Sequence, residues 1–199
     1  IIRQPDLFIS GVSPMALGSD CMSKEVMEIY ENHGWVPKAS CSTSDRPRHT
    51  RVRALLNKFF TTSKVRALTP YIEEIANNLI DGFELNGECD FITAFSHPLP
   101  MIVIAEQLGV STTNLDTFRA WSDAIVEPFG MMIGRERELE CARLVVTMQQ
   151  FFKEEIDERR DNPRDDILTM LAHEKYDGGE DIPMDELLTV VTIDLLASG

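Results

Sequence analysis

The sequence predicts an all-α protein, mainly helical with at most a trace of β-strand. Apolar residues recur at steps of three and four along most of the chain. Capping residues and helix-stopping Gly or Pro stand at the ends of those stretches. Alternating apolar and polar runs are nearly missing; the one short strand candidate is CDFI at 89–92.

In chain order, residues 5–20 are rich in Gly, Pro and Ser and read as loop. A short helix fits Ser23 to Asn32, with Val26, Ile29 and Tyr30 on one side. HGWVPKASCSTS (33–44) is loop again. A helix then starts near Asp45 as N-cap, with Pro47 in its first turn, and runs to about Phe60. Thr62 or Ser63 caps the next helix, whose apolar stripe is Val65, Leu68, Ile72, Ile75, Leu79 and Phe83. MIVIAEQLGV (101–110) is a helix buried on several faces and stopped by Gly109. Further helices fit Thr113 to Val126, Arg135 to Arg160 and Asp165 to His173. The long one has an inner face of Leu139, Ala142, Val145 or Val146, Gln149, Phe152 and Ile156. After the turn YDGGED, Pro183 opens a last apolar helix.

Composition narrows the function. The 199 residues suit one large domain or two small ones, and a hydrophobic share of 43% can supply a core. No apolar run reaches the roughly 18 residues that span a bilayer, so no transmembrane segment is expected. The opening IIRQPDLF is unlike a signal peptide and has no initiator Met, so the expected start lies upstream. Cys21, Cys41, Cys89 and Cys141 form no CxxC pair and no zinc pattern, which points to a reduced, cytoplasmic setting. A net charge of −14 argues against nucleic-acid binding.

Base is nevertheless concentrated. Seven of the 19 Lys and Arg residues fall between Arg46 and Arg66, with no acid from Arg46 to Ile72. At 100° per residue with His49 at zero, Arg53 lies at about 40°, Leu56 at about −20° and Phe60 at about 20°, so His49 and Arg53 share the apolar face. Arg51 and Lys58 point away. The inward pair admits a structural salt bridge, a half-buried face, or a bound anion held by charge-assisted donors.

Here a resemblance enters. DRPRHTRVRALLNKFF resembles the C-helix signature of bacterial cytochrome P-450 monooxygenases, D-P-P-x-H-T-R-x-R followed by an apolar stretch. IIRQPDLFIS is similar to the end of the family's B helix, and HPLPMIVIAEQLGV to its P-x-x-V-I-x-x-L-L-G-V segment. Residues 163–199 are similar to the H helix, its turn and the first half of the I helix. Arg46 departs from the usual Pro.

The resemblance implies a partial P-450 domain over 1–199, from the B helix to mid I helix. It implies heme b, with His49 and Arg53 on the propionates and Ser198 and Gly199 at the start of the family's A-G-x-(E/D)-T motif. The acid–Thr pair would follow Gly199. The E-x-x-R motif and the heme loop with the axial Cys are absent, so the chain itself offers no metal ligand, and the expectation is a fragment inactive alone. Electrons would come indirectly from NAD(P)H through a reductase and a ferredoxin-type donor docking on Arg48, Arg51 and Lys58, with Arg46 and Arg66 beside them. The substrate would be an apolar small molecule, hydroxylated by one atom of O2. Its candidate walls are Trp35, Val36 and Met22, then Phe129, Met131 and Met132, then Val190, Ile193, Asp194 and Ala197. Asp194, an acid amid Leu and Ile, faces substrate or hydrogen-bonds a neighbouring helix. Two other readings compete. One is a non-catalytic helical module that binds a partner through its basic patch. The other is a Mg²⁺-dependent helical enzyme seeded by Asp165-Asp166.

Overall fold

The structure is a computed structural model and describes residues 22–130, 132–176 and 178–197. The expected B-helix stretch at 1–10 lies outside the described residues, as do Met131, Ser198 and Gly199.

The helices follow the predicted order. They are α1 (Lys24–His33), α2 (Arg48–Phe59), α3 (Thr62–Ala67), α4 (Thr69–Asp81), α5 (Pro98–Leu108), α6 (Leu115–Val126), α7 (Arg135–Asp161), α8 (Ile167–His173) and α9 (Met184–Thr189). The last continues as a π-helical stretch, Val190–Leu196. The β-branched run Val190 to Ile193 is poorly suited to regular α-helix, and the Thr192 hydroxyl donates to the Leu188 carbonyl at 2.7 Å.

The long helix α7 organises the core, packing against α1, α6 and α8. Phe118 and Trp121 of α6 interlock with Phe151 and Phe152 of α7 through ring centroids 5.3–6.4 Å apart. Such edge-to-face pairs add about 0.5–1.5 kcal/mol each beyond their burial. Helix α5 and the π-helical stretch pack beneath this layer. Gly34 caps α1 where the chain passes close to α7; a Cβ there would lie 2.5 Å from the Gln149 side-chain oxygen.

Three expectations need correction. CDFI forms no strand. The Asp90 carboxylate instead accepts hydrogen bonds from the Ile92 and Thr93 amides at 3.1 and 3.3 Å, starting a π-helical turn over Ile92–Ser96. Among the described residues the only β-pairing is the isolated bridge Lys175–Asp181. The predicted helix from Ser63 is two helices, capped by Thr61 and divided at Leu68. Pro70 has no amide to donate across that junction. Finally, α2 begins at Arg48 with Pro47 at its cap position, and the His49 amide bonds the Asp45 carbonyl at 2.9 Å.

Candidate functional site

Helix α2 is rotated from its expected setting. Its buried residues are Val52, Leu55, Leu56 and Phe59. Val52, Leu55 and Phe59 place the centre of this face on the far side of Val52 from His49. His49 is half-buried on its flank, Arg53 is exposed, and Phe60 is 46% exposed. An Arg on the flank keeps its charge in water and needs no internal counter-ion. Among the described residues, neither the His49 ring nor the Arg53 guanidinium makes a hydrogen bond or ion pair. Two cationic-type donors four residues apart are thus available to an anionic ligand.

The other bases of α2 are engaged. Arg48, expected to face outward, turns inward. Its Nη1 pairs with Glu186 at 2.8 Å, its Nε donates to the Ala39 carbonyl at 2.8 Å, and its Nη2 is buried without a partner among the described residues. Its angular position lies within the buried arc, which is why it cannot stay in solvent. Arg51 lies over the Tyr176 ring, 5.3 Å from its centroid. The Tyr176 hydroxyl donates to Glu186, and burial together with that carboxylate pushes the phenol's pKa up. Lys58 pairs with Glu174 at 2.7 Å and remains about half exposed.

A second feature is an apolar pocket of about 120 Å³ between α1, α6, α7 and the π-helical stretch. Val26, Tyr30, Pro37, Phe129, Ala142 and Ile193 are among its walls. Of the expected wall residues, Met22, Phe129 and Ile193 line it. Trp35 and Val36 pack against the core beside it. Gln149 fixes Trp35 by accepting from its amide at 3.0 Å and donating to its carbonyl at 2.8 Å. Val190 is wholly buried in the core and Ala197 half-buried, whereas Met132 is 93% exposed.

Asp194 is the third feature. Its Oδ1 accepts from the Cys41 amide at 2.8 Å, and its Oδ2 is buried with no partner among the described residues. Burial is the largest influence and lifts its pKa to about 6, against the opposing pull of the Cys41 amide and Arg48. It also borders an open groove of about 500 Å³ between α4, α5 and the π-helical stretch, lined by Phe60, Leu68, Ile72, Val103 and Leu195.

One buried charge was missed from the sequence. Arg159 is 0% exposed and donates to Asp166 at 3.0 Å, to Glu155, and to the Gly109 carbonyl at 2.6 Å. Gly109 is left-handed (φ +77°), and a Cβ there would collide with the Asp166 carboxylate. The signal available was one Arg on the continued stripe of Phe152 and Ile156. Asp166 is thereby committed, since its Oδ1 also caps α8 at the Thr169 amide. Among the described residues no group of three or more His, Cys, Asp or Glu side chains is placed to hold a metal ion.

This helical layout defines a fold class that comparison identifies. Over the stretch it spans, the chain belongs to the bacterial cytochrome P450 family. It is 33% identical over 189 residues to the cytochrome P450 YjiB of Bacillus subtilis, covering 94% of this chain and 46% of that protein. It is 34% identical over 155 residues to the 6-deoxyerythronolide B hydroxylase of Saccharopolyspora erythraea, covering 78% of this chain and 37% of that one. The chain therefore spans less than half the length of these relatives. Among solved structures, the Bacillus subtilis polyketide-synthase P450 PksS aligns with a TM-score of 0.70 at 27% identity, over 88% of this chain and 42% of PksS. P450BioI, solved with an acyl-carrier-protein-linked fatty acid, aligns with a TM-score of 0.73 at 21% identity, over 94% of this chain and 44% of that one, and shows the shared fold. No family profile matches the chain. Among the described residues no helix is long and apolar enough to cross a membrane.

Proposed function

We propose that this chain is a partial P450 domain, part of a heme-thiolate monooxygenase that inserts one oxygen atom from O2 into an apolar small molecule. The observation that carries the reading is the pair His49 and Arg53, uncommitted on one flank of α2 in a chain of this family. Their chemistry fits a heme. Arg53 is permanently cationic and His49 is a second donor, the set that two propionate carboxylates require. Bound heme would supply oxygen activation, with a thiolate ligand that this sequence does not provide.

The remaining residues bind and orient. The apolar pocket excludes water and receives an apolar part of the substrate. Exposed Arg46 and Arg66, with Arg51 and Lys58, attract an acidic ferredoxin-type donor whose electrons derive from NAD(P)H. The test uses the complete protein that carries this sequence. It is incubated with a ferredoxin, its reductase, NAD(P)H and an apolar substrate under isotopically labelled O2. One labelled oxygen atom in the product is expected. Consumption of O2 with no label in any product contradicts the reading.

A further inference from the structure

The irregular segment 35–44 crosses the π-helical end of the chain and is tied to it at separate points. The Lys38 amide donates to the Thr189 hydroxyl at 3.0 Å, and its ammonium pairs with Asp185 at 3.0 Å. Arg48 anchors the far end through Ala39 and Glu186. Between them the Cys41 amide reaches Asp194 Oδ1 at 2.8 Å. In that last tie the second carboxyl oxygen is buried without a partner among the described residues, as is Nη2 of Arg48.

We propose that Asp194 is a proton-operated latch: its carboxyl clasps the Cys41 amide, and its protonation state sets how firmly segment 35–44 closes on the last helix. The groups that face it are few. Arg48 of α2 is its nearby cation, but two of that guanidinium's nitrogens are taken by Glu186 and Ala39, and Nη2 finds no partner among the described residues. From the segment come the Cys41 amide and thiol; burial and Asp194 both push that thiol's pKa up, while Arg53 and Arg48 pull it down. Among the described residues, the groove's other lining is neutral Gln107 and apolar side chains. The ionised form therefore carries an under-compensated buried charge, whereas the neutral acid still offers an oxygen to the Cys41 amide.

The direction follows from linkage. Burial in the fold raises the Asp194 pKa from 3.8 to about 6 against the opposing pull of the Cys41 amide and Arg48, so a state in which the segment lifts and water reaches the carboxyl would bind the proton less tightly. The latch is firm below pH 3.8, loosens as pH rises from 3.8 to about 6, and changes little above that. With those values the open fraction is about tenfold larger at pH 7 than at pH 5. Because Pro37 of the same segment lines the apolar pocket, the latch also sets one wall of that pocket.

The experiment is amide hydrogen exchange of residues 35–44 in the complete protein between pH 5 and 7, corrected for the intrinsic base-catalysed rate. Wild type is expected to lose about tenfold in protection across that range. Asp194→Asn, which keeps an acceptor but cannot ionise, is expected to stay protected and flat with pH. Asp194→Leu, which removes the acceptor, is expected to be open and flat. A wild-type profile that is flat, or an Asn variant that tracks wild type, overturns the proposal. Cys41 protection unchanged in the Leu variant overturns it as well.

Discussion

Two sets of base sit on the same short helix. Arg48, Arg51 and Lys58 each meet a partner supplied by the fold, namely Glu186, the Tyr176 ring and Glu174. His49 and Arg53, on the adjoining flank, meet none among the described residues. The first set is consumed to differing degrees in holding α2 against the turn 174–186. The second is left over, and charge that a fold leaves uncommitted is charge a ligand can use. What separates the two sets is partnering, since all five residues lie within eleven positions of one another.

The comparison can be broken most violently at its committed extreme. Arg159→Met removes the fully buried cation and leaves Asp166, 4% exposed, without its counter-charge. A destabilisation of about 3–5 kcal/mol is expected in urea unfolding of the complete protein. Arg48→Ala should cost about 2–3 kcal/mol by the same measurement, because Glu186 is only 14% exposed and loses a charge-assisted bond. Arg53→Ala should leave stability within about 0.5 kcal/mol while weakening heme retention about tenfold in a heme-transfer assay. Lys58→Ala should do least, about 0.5 kcal/mol on stability, with slower reduction by the ferredoxin whose salt dependence is reduced. A stability loss for Arg53→Ala as large as that for Arg48→Ala would erase the distinction between the two sets.

Much of this was legible in the sequence, because helical periodicity and caps are local signals. The helix expected at 23–32 forms as α1, Gly109 stops α5, and the α7 stripe from Ala142 to Ile156 is buried as expected. The rotation of α2 was less so. Leu56 and Phe60 seemed to define its inner face, but Val52, Leu55 and Phe59 outweigh them, and only tertiary packing decides between stripes about 80° apart. That choice turned Arg48 inward and left Arg53 outside. Asp194 stood out as an acid amid Leu and Ile, but its partner Cys41 lies 153 positions away and Arg159 also reaches Gly109, 50 positions away, so neither arrangement could be read locally. The strand at 89–92 failed because an Asx-type cap at Asp90 competes locally for the amides a ladder would need.

The most direct measurement is a reduced, CO-bound difference spectrum of the complete protein, recorded for wild type, Arg53→Ala and Lys58→Ala at equal protein concentration. The account predicts a red-shifted, thiolate-type Soret band in wild type, reduced in Arg53→Ala and retained in Lys58→Ala. No heme band in wild type, or equal loss in both variants, would contradict it and leave the basic helix as a surface for a protein partner.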